Sequence, residues 1–298
     1  MSTPEPSCQG IVSLTQNDIP EILCLVEKLN WTHVEADLNV MFRAGSFLGL
    51  REDCGKIIAT GAIFPYGDNL ASIGMIMVAP DHQRKGYGRA VMQDLHDSKT
   101  AQGRRLCLIA TDEGEQLYKA LGYHVTSRIR KFFADPELLL ETSTTVVNFD
   151  CKMRHLTEND FSDVIELDSQ SIGASREKLL RLRFAQSGVG VVIEGQNGKL
   201  IAFALSSLQR EQCHLGPIVA PDRDTALILI LGLADNNRRE LRIDIPEEQS
   251  VLYELLPELG FRLIANPPAM TRPVVGATEF DSQISRSHYW AIMSQAYG

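Results

Sequence analysis

Seven consecutive residues, Gln83 to Arg89, combine two glycines with three cations directly after a predicted strand, Leu70 to Val78. They lead into a predicted helix that starts at Gly88. The first turn of a helix leaves backbone N–H groups unpaired and carries the positive end of the macrodipole, so it binds anions. Glycines in this turn let the backbone approach a phosphate closely. The residues expected to bind a pyrophosphate are Gln83, Arg84, Lys85, Gly86, Tyr87, Gly88 and Arg89.

Two better-known phosphate loops do not fit this segment. A P-loop requires Gly-Lys followed by Ser or Thr, which is absent here. A Rossmann loop places a third glycine three residues after the second, and Val91 occupies that position. The remaining alternative is a solvated, basic helix start that follows a turn and binds nothing.

Two motifs in the first half resemble those of the GCN5-related N-acetyltransferase (GNAT) family. Gln-x-x-Gly-x-Gly after a strand ending in Val-x-Pro resembles its motif A, and Ala110–Gly114 followed by Leu117–Tyr123 resembles its motif B. Together they span about Leu70 to Ile129, and the predicted strand order extends the match over the first half. Trp31-Thr32 ahead of an acidic helix resembles the tandem-domain acetyltransferases of this family.

The resemblance implies that acetyl-CoA is the co-substrate, with no metal. Its pantetheine arm would pair with the backbone of Ile76, Met77 and Val78, and a backbone N–H would face the thioester carbonyl. Tyr118 stands at the motif B tyrosine and would protonate the departing thiolate; the alternative is a packing tyrosine. Thr111 and Gly114 would shape the helix start that faces the pantetheine.

The general base that deprotonates the acceptor amine is not identified by the sequence. Many relatives carry a Glu on the strand equivalent to Leu70–Val78, and this strand has none. His33, Glu35 and Asp112 are the candidates, acting directly or through a water. Trp31, His33 and Glu35 are expected on the acceptor side, although core packing is the alternative for Trp31.

The chain also repeats itself, which predicts two copies of one fold. Three short segments recur in the same order at offsets of 138 to 142 residues. They are Leu14–Asp18 with Leu156–Asp160, Val78–Asp81 with Val219–Asp222, and Leu121–Tyr123 with Leu259–Phe261.

The repeat predicts an α/β fold of two tandem GNAT-like domains, each a mostly antiparallel twisted sheet flanked by helices. We expect a disordered lead (1–10), an acetyl-CoA-binding domain (11–134), a linker (135–148) and a second domain (149–298). In the second copy Leu227 and Leu229 stand in place of the loop glycines, and Leu256 in place of Tyr118. The second domain is therefore expected to be a degenerate copy that shapes the acceptor site.

Composition bounds the remaining possibilities. The net charge of −9 over 298 residues argues against nucleic acid as the main partner. No apolar stretch approaches the roughly 20 residues of a membrane span, and no secretory signal is evident. The six cysteines form no C-x-x-C pair. These features predict a cytoplasmic protein with neither membrane nor metal partners.

Three functions are compatible with these motifs. The first is acetylation of a primary amine on a small molecule, which a capping second domain favours. The second is acetylation of a protein Lys or N-terminus, which needs an open groove. The third is a non-catalytic acyl-CoA sensor, against which Tyr118 counts. The acceptor, the acyl chain length and the oligomeric state are not specified by the sequence.

Overall fold

The computed structural model describes residues 10–143, 152–187, 189–235, 237–274 and 287–297. The predicted lead lies outside these ranges except for Gly10, as does the end of the predicted linker. The α/β fold class predicted from the sequence is confirmed, with strands and helices alternating in both halves.

The first half follows the predicted order of elements closely. Its strands are Val12–Leu14 (β1), Ser46–Arg51 (β2), Ile57–Tyr66 (β3), Leu70–Val78 (β4), Arg105–Ile109 (β5) and His124–Ala134 (β6). Its helices are Ile19–Lys28 (α1), Glu35–Ala44 (α2), Tyr87–Asp97 (α3) and Glu115–Ala120 (α4).

Within the predicted linker, residues Pro136–Ser143 form a helix (α5). Pro136 occupies the first helical position, where its missing N–H costs nothing. The Asp135 carboxylate accepts a hydrogen bond from the Glu137 N–H at 2.9 Å. Leu139 is fully buried in the core of the second half, so this segment belongs to that core.

The second half repeats the same arrangement. Its strands are Lys152–His155 (β7), Gly190–Glu194 (β8), Leu200–Gln209 (β9), Gln212–Val219 (β10), Glu240–Pro246 (β11), Arg262–Ala265 (β12), Pro268–Arg272 (β13) and Tyr289–Ala291 (β14). Its helices are Phe161–Ile172 (α6), Glu177–Ser187 (α7), Arg223–Ala234 (α8) and Ser250–Tyr253 (α9).

The repeated sequence builds the same local structure in each half. The Asp18 carboxylate accepts the backbone N–H of Thr15 at 2.6 Å, and the Asp160 carboxylate accepts that of Thr157 at 2.8 Å. Both are capping boxes, in which side chains satisfy N–H groups that a helix start leaves unpaired. The two halves are therefore matched in structure as well as in sequence.

Among the described residues, the two halves share one continuous sheet. Its order is β1-β2-β3-β4-β5-β13-β6-β11-β10-β9-β8-β7, with β12 paired to β6 and β14 paired to β10. Strand β13, from the end of the chain, lies between β5 and β6 of the first half. In return, the C-terminal part of β6 lies between β11 and β12 of the second half. The structural halves thus exchange strands across the predicted boundary at residue 134.

A bulge in β4 opens the first half's sheet. Between Thr60 and Ala62 of β3, the partner strand advances three residues, from Met77 to Gly74. Met75 lies in the left-handed region at φ 54°, and its carbonyl accepts the Thr60 hydroxyl at 2.9 Å. Strands β4 and β5 then pair only along Leu70–Ser72. Beyond Ser72 they separate and leave a cleft between them.

The second half has the same bulge, but a strand lies in its cleft. The register of β10 shifts between Leu215 and Ile218, and β10 pairs with β11 only as far as Leu215. Strand β14 pairs with β10 at Ile218 and Val219. The Ile292 N–H donates to the Asp244 carbonyl of β11 at 2.9 Å. The end of the described chain thus fills this cleft from both sides.

None of the helices in the described ranges is long and apolar enough to cross a membrane.

Candidate active site

The loop between β4 and α3 has the geometry of a turn that could bind an anion. Gly86 is the N-cap of α3 and has φ 86°, a conformation that a side chain strains. No acidic residue lies in the first helical turn, so nothing in it neutralises the positive end of the helix. The Gln83 amide donates to the Val78 carbonyl at 3.3 Å and ties the loop to the strand end.

A cavity of about 540 Å³ lies against this turn and continues along β4 towards α4. It contacts most of the residues predicted to bind acetyl-CoA. They are Ile76, Met77, Val78, Gln83, Arg84, Gly86, Tyr87, Gly88, Arg89, Thr111 and Gly114; Tyr118, predicted as the catalytic residue, also lines this cavity. Lys85, also in the predicted set, is exposed and is not among the lining residues.

This larger cavity has the features that acetyl-CoA requires. The start of α3 and the exposed Arg84 and Arg89 lie at one end, where a pyrophosphate would bind. Ile76 to Val78 are unpaired on the side of β5, so the backbone there is open to a polar chain. The residues present therefore fit the co-substrate that the sequence motifs imply.

Tyr118 lies where the larger cavity meets α4. Only 7% of the residue is exposed, and burial raises the pKa of its phenol well above the ordinary value. A Cβ on Gly114 would lie 2.8 Å from the Tyr118 ring, so the absence of a side chain there allows the ring its position. The Thr111 hydroxyl accepts the Gly114 N–H at 3.3 Å and fixes this turn.

A second cavity, of about 280 Å³, adjoins the first. The two share four lining residues: Trp31, Ile76, Thr111 and Tyr118. The smaller cavity also contacts Lys131 of β6, Arg242 of β11 and the segment Ser294–Ala296. Both halves of the chain therefore build it. A Cβ on Gly74 would collide with the Ala296 carbonyl oxygen, which shows how closely this segment crosses the β4 bulge.

The structure separates the three candidate bases. His33 lines the smaller cavity, and its Nδ1 lies 3.7 Å from the Asp37 carboxylate. Glu35, predicted on the acceptor side, is exposed at the start of α2 and is not among the lining residues, because the helix directs it to solvent. Asp112 is exposed and lines neither cavity.

Asp37 is buried and joins the two halves. Its Oδ1 accepts a hydrogen bond from Arg183 of α7 at 2.9 Å, and another from Gln186 at 3.1 Å. Burial opposes ionisation, yet His33 and the Arg183 charge hold the pKa of Asp37 well below its usual range. A permanent carboxylate therefore stands beside His33, as in sites where a carboxylate orients a histidine.

The second half has a different helix start. Residues 79–86 separate β4 from α3, whereas only 220–222 separate β10 from α8. The prediction that Leu227 and Leu229 replace the loop glycines is wrong, since both lie inside α8 and pack in the core. The loop is shortened instead, and the Asp222 carboxylate accepts the Thr225 N–H at 2.8 Å at the helix start.

Tyr118 and Leu256 occupy equivalent positions in the two halves. The Tyr118 carbonyl accepts the N–H of Tyr123, and the Leu256 carbonyl accepts that of Phe261, both at 3.0 Å. Leu256 is fully buried and carries no proton donor. The second half therefore has neither the glycine loop nor the phenol at these positions.

Sequence reasoning missed Lys131, Arg242 and Gln295, all of which line the smaller cavity. They come from two strands and the end of the chain, and only the strand exchange brings them together. Lys131 stands beside Phe132 and Phe133 in a strand that is otherwise partly buried. A lysine beside two phenylalanines in a strand was the local sequence feature that could have indicated a partly buried cation.

Comparisons with known proteins agree with the motifs. Two family models, each described as an acetyltransferase (GNAT) domain, match residues 43–125 and 164–284. The uncharacterised N-acetyltransferase YitH of Bacillus subtilis is 29% identical over 289 residues, which cover 97% of this chain and 98% of that protein.

Solved structures share the fold over both halves. A candidate acetyltransferase from Pyrococcus horikoshii superposes with a TM-score of 0.77 at 19% identity, covering 100% of this chain and 99% of that one. A tandem GNAT protein from the clavulanic acid biosynthesis pathway gives 0.68 at 16% identity, covering 92% and 100%. At these identities the likeness concerns the fold alone.

Proposed function

Because the chain belongs to the GNAT acetyltransferase family and is an acyltransferase, we propose that it acetylates a primary amine of a small molecule. Acetyl-CoA would lie in the larger cavity and the amine in the smaller one. The observation that carries this proposal is the contact between the cavities at Trp31, Ile76, Thr111 and Tyr118. An amine bound in the smaller cavity and a thioester bound in the larger one would come into contact beside these four residues.

His33 is proposed as the proton acceptor. The Nδ1 of His33 lies 3.7 Å from the permanently charged Asp37, and its Nε2 would take a proton from the acceptor ammonium. The neutral amine then attacks the thioester carbon, so that the N–C bond forms as the C–S bond breaks. Asp37 acts through His33 and is a positioning residue.

Tyr118 is proposed as the proton donor to the leaving thiolate. Because burial raises the pKa of Tyr118, the phenol is protonated at neutral pH and has a proton to donate. Burial also excludes water that would compete for the same hydrogen bond. The bound co-substrate supplies the acetyl group, while the chain supplies the position, the base and the acid.

The small volume of this second cavity, and its lining by both halves of the chain, favour a small acceptor over a protein. Ser294–Ala296 cross the β4 bulge, and the second half contributes Arg242. A peptide needs a groove open at both ends, whereas this cavity holds about 280 Å³. The sensor alternative is disfavoured by the phenol placed at the junction of the cavities, which binding alone does not require.

CoA release across a panel of primary amines tests the proposal, with mass spectrometry of the products. We expect at least one small amine to give an N-acetyl product at a rate far above acetyl-CoA hydrolysis. A parallel panel of peptides with free N-termini or lysines should give little release. Preferred acetylation of the peptides, or acetyl-CoA binding without any transfer, would overturn it.

A further inference from the structure

The smaller cavity carries positive charge and, among the described residues that line it, no Asp or Glu. Lys131 and Arg242 are its two cations. An acceptor with a second ammonium group would find no anionic partner there. The charge of the cavity therefore bears directly on the acceptor.

The charge of Arg242 is neutralised by a buried carboxylate that does not line the cavity. The Asp244 carboxylate accepts two hydrogen bonds from Arg242, at 3.2 Å from Nε and 2.6 Å from a terminal nitrogen. His214 lies 3.6 Å from the same carboxylate. Burial lowers the pKa of His214 to about 3, so this imidazole is neutral at pH 7.

The other charge is not paired with a carboxylate of any described residue, although the Lys131 ammonium lies 5.1 Å from the centroid of the Phe133 ring. Lys131 stands opposite Asp244 in the β6–β11 register, but Arg242 already occupies both of that carboxylate's oxygens. No ion pair joins Lys131 to any residue of the described part of the chain. Burial lowers the pKa of Lys131, and the nearby Arg242 charge lowers it further, against the opposing effect of Asp244. The group of four side chains thus has a net charge of about +1.

A neutral hydrogen-bond donor lies in the same cavity as this charge. The Gln295 side chain lines the same cavity, and its Nε2 is buried without a hydrogen-bond partner among the described residues. Unpaired buried donors are costly and are usually satisfied by a ligand or water. An anion bound beside Lys131 would accept hydrogen bonds from both groups.

We propose that the acceptor amine carries a carboxylate bound by Lys131 and Gln295, as an amino acid or a compound of similar size does. The inference rests on the proposed function and narrows its substrate class. A single uncompensated charge matches a monoanion better than a phosphate dianion. The CoA phosphates do not explain these residues, because neither Lys131 nor Arg242 lines the larger cavity.

Matched acceptors test the charge alone. Each of the common L-amino acids is compared with its carboxamide and with the decarboxylated amine, for example L-methionine, L-methioninamide and 3-(methylthio)propylamine. O-phosphoethanolamine represents a dianionic acceptor. We expect the best free acid to exceed its amide at least tenfold in kcat/KM. A preference for the amide, the decarboxylated amine or the phosphate would overturn the inference.

Lys131→Met removes the charge and keeps the length of the side chain. We expect it to raise KM for the carboxylate acceptor at least tenfold, with kcat changed only a few-fold and KM for the amide unchanged. Lys131→Arg should restore most of the affinity. Lys199→Met is the matched control, since Lys199 is half-exposed and pairs with Glu166 away from both cavities. Equal effects of Lys131→Met on acid and amide would contradict the assignment.

A binding measurement separates this inference from the function it rests on. Calorimetry of the enzyme with CoA measures the affinity of N-acetyl-L-amino acids and of their amides without turnover. If no amine is acetylated but the acids bind and Lys131→Met abolishes that binding, acetyl transfer to amines fails and carboxylate recognition stands. If amines are acetylated without preference for a carboxylate, the function stands and this inference fails.

Discussion

At the scale of single residues, the junction of the two cavities depends on contacts that a pattern of residue types only partly shows. The Tyr118 ring lies in the space left by Gly114, and Thr111 fixes the turn beneath it. His33, the proposed base, lies beside Asp37, whose pKa is held well below its usual range, against burial, by His33 and by the Arg183 charge. The position or the electrostatic environment of each proposed catalytic group thus depends on a neighbouring residue.

Tyr118→Phe should lower kcat about 100-fold, the scale of one general acid, while the Kd for acetyl-CoA changes less than about threefold. Steady-state kinetics and calorimetry measure the two. Tyr123→Phe is the control, because Tyr123 packs 6.1 Å from the same ring and hydrogen-bonds to His96 but lines neither cavity. Unchanged turnover in Tyr118→Phe would remove the acid role.

His33→Gln should lower kcat/KM about 100-fold near pH 7. The deficit should shrink as the pH rises towards the pKa of the acceptor amine, about 10, because a neutral amine needs no base. A pH–rate profile measures this, with exposed His155→Gln as the control. A deficit that stays constant with pH would assign His33 to packing instead.

At the scale of elements, the site is a strand, a turn and a helix in sequence, followed by a second turn and helix. The β4 bulge separates β4 from β5, and the Gly86 turn then directs α3 at the opening. A local segment therefore provides both the backbone and the charge that acetyl-CoA requires. This is why the sequence could predict the strand, the glycine turn and the helix start that are proposed to bind the phosphates.

Gly86→Ala should raise KM for acetyl-CoA at least tenfold, because its φ of 86° strains an Ala and the new methyl group enters the anion turn. The backbone cost is about 1–2 kcal/mol. Gly55→Ala is matched to it, with φ 89° and no atom near the added Cβ, but lies in the β2–β3 turn. It should lose similar stability and keep its KM. Equal KM values in the two variants would argue against phosphate binding at this turn.

The same contrast explains what the sequence could and could not predict. Strand β4 has the predicted bounds and α3 begins one residue from its predicted start, because both follow from contiguous patterns. The five-residue shortening of the loop before α8 was hidden, since a constant offset placed Leu227 opposite Gly86. Lys131, Arg242 and Gln295 were not predictable as a group, because distant strands bring them together.

At the scale of the whole molecule, the two halves complete each other. Strand β13 fills a position in the first half's sheet, and β6 fills the equivalent position in the second. Buried Asp37 and Arg183 add an ion pair across the halves. A half on its own would expose two strand edges and an unpaired buried charge.

A fragment of residues 1–148 should therefore fail to unfold cooperatively, whereas the intact chain should show one calorimetric transition. The fragment lacks β13, so β5 and β6 lose the strand that joins them. Mixing it with a fragment of residues 149–298 should restore protection from proteolysis. A cooperative, monomeric first fragment would contradict the exchange as a requirement for folding.

The chain should bind one acetyl-CoA. Strand β14 pairs with β10 where the first half leaves β4 free, and Asp222 already caps α8. Calorimetry should give one site per chain, and Gly86→Ala should weaken that site without revealing another. Two equivalent sites would show that β14 can leave its cleft.

The exchange of β6 and β13 also bears on how such a chain can change over generations. A redundant copy in a duplicated gene can be deleted, but here deletion of the second half would remove β13 from the sheet of the first. We therefore expect the second half to be retained for its fit to the first, whether or not it binds acetyl-CoA. Substitutions in the second half should be tolerated in the short loop before α8 and resisted along β13, so sequence conservation should follow the shared sheet rather than the motifs.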